Sequence, residues 1–270
     1  MFKTYNGYFT RFFDESKYFF RNKIDFYFFC VFILMEVFFM IYYFTNFLIG
    51  TCLGSHANLV FDRLSHENFN ILFGRSYCDY CLHPLSIIDE IPILSYVCLR
   101  GKCRFCKKAI SKKMIITELI GGLSFFSFNF SDLTTILVVI WLFYLYVIAL
   151  FDYSFQEFPT YLLSIPTLSA SFFLWYSKPT LSALDWINLI VILLVFISGI
   201  LRAKLGSGDL LIYLLLCCFY KPEAANTIIL IACLLALMHF LLQKSIKISL
   251  AFIPYIFAGT VLYHLFFNLN

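Results

Sequence analysis

Eight mostly apolar stretches recur along this chain of 270 residues, at 26–50, 114–131, 133–152, 159–177, 183–201, 209–220, 224–243 and 248–267. Crossing the hydrocarbon core of a bilayer takes roughly 20 apolar residues of helix, and a spanning segment must pair all of its own backbone groups. The pattern therefore predicts an all-α polytopic integral membrane protein with about eight transmembrane helices. At 61% hydrophobic and 13% charged, the chain lies outside the range of water-soluble globules. The first run is longer than the apolar core of a cleavable signal peptide and is expected to be retained. The run at 209–220 is the shortest of the eight.

Outside these runs the chain divides into an N-terminal extension (1–25), a first transmembrane helix (26–54), a polar loop (55–113) and a seven-helix membrane domain (114–270). The extension mixes Lys3, Arg11, Lys17, Arg21 and Lys23 with aromatics and acids, which fits a short interfacial helix or a frayed tail. The polar loop holds nine of the twenty basic residues. With eight spans it shares a face with 153–158, 202–208 and 244–247, and that face carries thirteen Lys and Arg against seven on the other. The positive-inside rule makes the richer face cytoplasmic. Asp152, at the end of the third run, and Asp209, at the start of the sixth, then meet the membrane at the same edge.

The polar loop contains two C-x2-C pairs, Cys78 with Cys81 and Cys103 with Cys106, separated by 21 residues. Four thiolates at this spacing suit a tetrahedral structural zinc site, which leaves no open position for a substrate. The competing reading is a pair of redox dithiols, as in a membrane thiol oxidoreductase; a cytoplasmic address speaks against stable disulfides. The other cysteines lie in or beside apolar runs and are expected to act as small hydrophobes.

Gly206-Ser207-Gly208-Asp209 sets a carboxylate behind two glycines at a helix entrance. If the third and sixth helices pack side by side, Asp152 and Asp209 become a pair of carboxylates that share one proton. Such a pair activates water for attack on a peptide carbonyl. The glycines at 206 and 208 are expected to let the backbone turn and an extended substrate approach. On spacing alone, a helix-capping Asp209 and an Asp152 that merely ends its helix read equally well. An ion-coupled transporter would also place aspartates in the membrane, but the broken helices in matching halves expected of one are not evident.

Taken together and in order, these residues resemble the type IV prepilin peptidase family, membrane aspartyl proteases of the GxGD type. The resemblance covers roughly 50–210. It runs through Gly54-Ser55 with Asn58 and Arg63, Ser76-Tyr77-Cys78-Asp79-Tyr80-Cys81 and Asp89-Glu90-Ile91-Pro92-Ile93-Leu94-Ser95-Tyr96. It continues through Leu99-Arg100-Gly101-Lys102-Cys103-Arg104-Phe105-Cys106, Ile110-Ser111, Glu118, Asp152 with Pro159, and the G-x-G-D stretch. The resemblance implies an enzyme of the bacterial inner membrane that cleaves the basic leader of type IV pilin or pseudopilin precursors at the cytoplasmic face. It further implies methylation of the new N-terminal amine with S-adenosylmethionine. Asp152 and Asp209 would be catalytic and the four cysteines would hold zinc, with Asn58, Arg63 and Glu118 as candidates for cofactor binding. The expected partners are the precursors and the lipid bilayer, with no nucleic acid.

The chain departs from the family pattern at His56-Ala57, where Phe-Leu is frequent, at Thr160, where Asp or Asn follows the proline, and at Leu211, where Lys is frequent. None of these touches the aspartates or cysteines. Of the remaining polar residues, His66 and His83 are expected at the surface, His239 and His264 fall on apolar helices, and Asp185 is expected to cap the fifth helix. Glu36, deep in the first run, has no partner legible in the sequence.

Overall fold

The computed structural model describes residues 23–66, 76–128, 130, 132–242 and 250–267. Most of the N-terminal extension, Arg75 and the basic 244–247 loop lie outside these residues. The described elements are α1 (Lys23–Ser65), a 3-10 turn (Ile87–Glu90), α2 (Leu94–Cys98) and α3 (Lys112–Ser124). They continue with α4 (Leu133–Phe155), a 3-10 turn (Thr160–Leu163), α5 (Ser164–Ser177), α6 (Ala183–Leu201), α7 (Ser207–Leu242) and α8 (Ile253–Phe267). Among the described residues no strand forms, and only isolated bridges join Tyr77 to Pro84 and Lys102 to Ala109. The all-α membrane reading therefore holds. By length and apolar composition, α1, α4, α6 and α7 can each cross a bilayer, and the other helices are shorter.

The chain separates into two units, Met1–Thr45 and Asn46–Asn270. In the first, residues 31–42 of α1 are exposed and apolar apart from Glu36, which is itself exposed. The second contains everything that follows.

Two predicted boundaries move. The loop expected from 55 begins eleven residues later, because α1 continues to Ser65. Residues 55–65 contain no proline or glycine, and Ala57 and Val60 are buried in the core, so packing holds this polar extension helical. The second run was expected to reach 131, yet α3 stops at Ser124. There the buried Asn46 side chain donates to the carbonyls of Phe126 (3.2 Å) and Phe128 (2.7 Å), satisfying acceptors that a continued helix would have used internally.

The segment Asn46–Ser65 of α1 meets α3 through glycine. A Cβ on Gly50 would lie 2.5 Å from the Gly121 carbonyl oxygen, and one on Gly54 would lie 2.6 Å from that of Thr117. Small residues four apart let membrane helices approach this closely. That approach carries Ser55 and its neighbours against α3.

The segment α7 consists of two helical limbs, broken at Lys221 (φ 59°, ψ 159°), the residue before Pro222. A residue before proline is driven out of the α region, and proline suits the first turn of a new helix. The Tyr213 hydroxyl donates to Asn226 Oδ1 at 2.8 Å. Thirteen residues of straight helix would span about 20 Å, so the second limb folds back along the first. His239, near its end, hydrogen-bonds Tyr255 in the first turn of α8, so the second limb returns to the face from which the first set out. The sixth and seventh runs thus correspond to the two limbs of α7.

The core is built around α4, whose Trp141, Leu142, Leu145 and Ile148 have no exposure. It packs on α5 and α8, while α7 packs on α5, α6 and α8. The third and sixth runs, expected to lie side by side, are bridged by α5 and α8, and they meet through stacked side chains such as Trp141 on Phe219 (5.8 Å between ring centroids).

Candidate metal centre and carboxylate site

The two C-x2-C pairs fold into matching turns offset by 25 residues. In the first, the Cys78 amide donates to His83 O (3.0 Å) and the Leu82 amide to Cys78 O (2.8 Å). In the second, the Cys103 amide donates to Lys108 O (2.9 Å) and the Lys107 amide to Cys103 O (3.1 Å). The residue after each second cysteine, Leu82 or Lys107, adopts positive φ (56° and 60°), which closes the turn beneath the sulfurs. All four Sγ atoms lie within 4.8 Å of one another, and Cys78 and Cys106 are 3.8 Å apart. Zinc–thiolate bonds of about 2.3 Å in a tetrahedron require a sulfur separation of about 3.8 Å, so the donor set fits such an ion.

The Cys106 and Phe105 amides, directed at the Cys103 sulfur, bring that thiol down to about 7. At Cys106 the Lys108 amide pulls downward, but burial and the neighbouring sulfurs outweigh it and push the thiol up to about 11. Four sulfurs this close share too little stabilisation to ionise together without a cation. Arg104 of the second knuckle pairs with Asp89 at 2.7 Å, and the Ser86 hydroxyl donates to the other Asp89 oxygen at 2.7 Å. The hydroxyl first, and then the guanidinium, hold the Asp89 carboxyl below its usual range. This latch between the knuckle and the segment before α2 had no spacing signature in the sequence. His66 and His83 are exposed, as expected, with His83 packed on Phe105.

The second cluster lies at one end of the helix bundle. Asp152 is buried at 8% exposure, one turn before α4 ends at Gln156, whose left-handed backbone (φ 59°) closes the helix onto Asp152 O. Its Oδ2 accepts the Ile253 amide at 3.0 Å. That donor is an unpaired N–H at the start of α8, where a helix favours an anion. Asp209, half-buried in the first turn of α7, accepts the Gly206 amide at 3.2 Å and lies within electrostatic range of Asp152. Two carboxylates 57 residues apart in the chain are therefore close enough to interact.

The glycines before Asp209 differ from expectation. Neither adopts positive φ; among the described glycines only Gly101 does. Gly208 is instead demanded by packing, since a Cβ there would lie 2.7 Å from Phe158 Cε1, whereas one on Gly206 meets only ordinary contacts. The role of Ile253 was not anticipated either, and Pro254, in the first turn of α8, was the one available sign that a helix starts there.

Glu118, expected as a candidate for cofactor binding or as a solvated helix end, is 8% exposed. Its Oε1 accepts the Ser55 hydroxyl at 3.1 Å and its Oε2 accepts the Ile93 amide at 2.8 Å. It thereby joins α1, α3 and the loop between the knuckles. Asn58 and Arg63 are half-buried on the extension of α1. Ser182 is the residue that caps this helix, and Asp185, three residues on, completes a reciprocal box with it, the Ser182 amide donating to Asp185 at 2.8 Å and the Asp185 amide to Ser182 Oγ at 3.2 Å.

Comparison with known proteins gives this arrangement a context. Residues 48–131, which contain the α1–α3 contact and all four clustered cysteines, match the family described as the bacterial peptidase A24 N-terminal domain. The prepilin leader peptidase/N-methyltransferase of Myxococcus xanthus is 40% identical over 81 residues, 30% of this chain and 24% of that protein. Longer alignments reach the type 4 prepilin-like proteins leader peptide-processing enzyme of Escherichia coli, 26% identical over 72% of this chain and 77% of the relative. A prepilin leader peptidase/N-methyltransferase of Vibrio cholerae is 26% identical over 73% of this chain and 85% of its own length. No solved structure matches the chain. A membrane-helix bundle, a four-cysteine loop after its first helix and alignments along both halves lead to one conclusion: the chain is similar to the type IV prepilin peptidases.

Proposed function

We propose that this protein is an aspartyl peptidase of the bacterial inner membrane that removes the leader of type IV prepilins or pseudopilins, with Asp152 and Asp209 as its catalytic residues. The observation that carries the proposal is the convergence of these two carboxylates at one edge of the bundle, each steadied by a backbone amide. The pair shares one proton. The ionised member takes a proton from a water between them, that water attacks the scissile carbonyl, and the protonated member stabilises the developing oxyanion and then protonates the departing amine. The precursor's apolar helix approaches through the bilayer and presents its leader junction at the depth of the pair. Both lie at the basic, cytoplasmic face, which the 55–113 region shares. The peptidase is carried by 114–270, and the extension at 1–25 precedes the first span.

The four cysteines hold a structural zinc ion, which supplies the cross-link that keeps the two knuckles closed and leaves no position for substrate. By the names of its relatives, the protein also methylates the new N-terminal amine with S-adenosylmethionine. The two Glu118 oxygens accept from Ser55 and Ile93, and no methylation step is assigned to a residue. The catalytic assignment is tested by replacing Asp152 or Asp209 with Asn in membranes supplied with a prepilin. Processing is expected to fall below detection, and processing at the parent rate by either variant refutes the pair.

A further inference from the structure

The segment between the two knuckles presents an unusual surface. Ile87 (83% exposed), Ile88 (65%), Ile91 (40%), Leu94 (54%) and Val97 (62%) leave a series of apolar side chains, spaced at one to three residues, uncovered along the 3-10 turn and α2. A polar loop standing in water rarely displays such a series without a partner. The position of these side chains identifies that partner. The Ile93 amide, in the middle of the segment, donates to Glu118 at 2.8 Å. Glu118 lies six residues into α3, which opens at Lys112. At 1.5 Å per residue this is about 9 Å along the helix from its start, so the segment is drawn alongside α3, which itself packs on α1 at Gly50 and Gly54.

The attachment is held under strain. Ile93 has φ 61° and ψ −52°, a backbone conformation that a β-branched residue adopts only when its surroundings impose it. The charges bear on the same placement. Lys112 and Lys113 stand at the entrance to α3 and Arg100 and Lys102 follow α2 directly, while of the segment's two acids Asp89 is neutralised by Arg104 and Glu90 is exposed, so cations outnumber unpaired acids beside the apolar side chains. Apolar side chains bordered by Lys and Arg are the pattern of a segment that lies in the interface of an anionic bilayer.

We propose that the segment Ile87–Cys98 is an interfacial membrane anchor, which lays its apolar side chains into the headgroup–acyl boundary of an anionic bilayer and is pinned there by Glu118. The metal-stapled loop then rests on the membrane surface beside the carboxylate face, and the two knuckles are fixed relative to the bilayer as well as to each other.

The test uses the full-length, metal-loaded protein in nanodiscs of phosphatidylglycerol and phosphatidylcholine, with an environment-sensitive fluorescent amino acid in place of Ile88 and, separately, of Val97. Metal content and a thermal unfolding transition equal to the parent's show that each variant is folded. The expected result is blue-shifted emission at both positions and several-fold quenching when the acyl chains carry bromine near the headgroup. Emission characteristic of water, indifferent to brominated lipid, overturns the proposal. Burial that appears only when a prepilin is added also overturns it and makes the segment a substrate-docking surface. Burial that depends on protein concentration overturns it in favour of a second copy. None of these readouts uses peptide cleavage, so the result stands apart from the proposed peptidase activity.

Discussion

Replacing Gly208 by Ala tests what the glycine before Asp209 does. The added methyl would lie 2.7 Å from Phe158 Cε1 and 3.0 Å from Cζ. Carbon atoms rest at about 3.5–4.0 Å, so the ring or the first turn of α7 must yield by about 1 Å. Phe158 packs against the core and has little room to retreat. Part of the displacement therefore reaches Asp209, the next residue in the chain. A misplacement of about 1 Å at a reacting group can cost about 100-fold. Gly208→Ala is thus expected to lower kcat about 10- to 100-fold, roughly 1.4 to 2.7 kcal/mol in the barrier, with little change in KM. Phe158→Leu removes the ring atoms that meet the methyl and is expected to stay near the parent rate. In the double variant most of the lost activity returns. The assay is cleavage of a purified prepilin in proteoliposomes, followed by the size of the released product for all four members of the cycle. A double variant as slow as Gly208→Ala alone refutes the packing argument and restores the view that the glycine serves substrate approach. Gly208→Ala at the parent rate refutes both.

Further outcomes follow from the surrounding structure. Glu118→Ala leaves the Ile93 amide and the Ser55 hydroxyl without their acceptor, and is expected to destabilise the protein by about 1–3 kcal/mol; thermal unfolding in detergent reads this, and an unchanged transition contradicts the latch. Gly121→Leu forces apart backbones that now approach to within 3 Å of a hypothetical Cβ, so α1 should dissociate from α3 and Ser55 should become accessible to labelling after Ser55→Cys. For the metal, purified protein should contain about one zinc per chain. Because thiolates are the ligands, binding releases protons and affinity falls as pH falls; calorimetry in buffers of different ionisation heat measures the release, and a proton-independent titration argues against thiolate ligation.

How the parts of the site divide between chain and fold can be followed residue by residue. Asp152, Asp209 and the four cysteines were identifiable in the chain because each carries chemistry that an apolar or spaced context makes conspicuous. Phe158, Ile253, Ser55 and Arg104 were not, because their contributions are a ring edge, a backbone amide, a hydroxyl and a latch to a residue 15 positions away, none of which has a local signature. Glu118 was visible as a candidate residue, but its burial was not: it depends on the glycine-mediated approach of α1.

The sequence by itself determined that this is a helical membrane protein with a loop whose four cysteines have ligand spacing, since bilayer thickness and ligand spacing translate almost directly into residue counts. The gap between the sixth and seventh runs also fell where the helix breaks, at Lys221 before Pro222. Only the tertiary structure decided that α5 and α8 bridge the helices bearing the two aspartates, and that the start of α8 donates to Asp152. Those facts depend on which helices pack together, and packing is a property of surfaces brought close across more than a hundred residues. No local pattern encodes them.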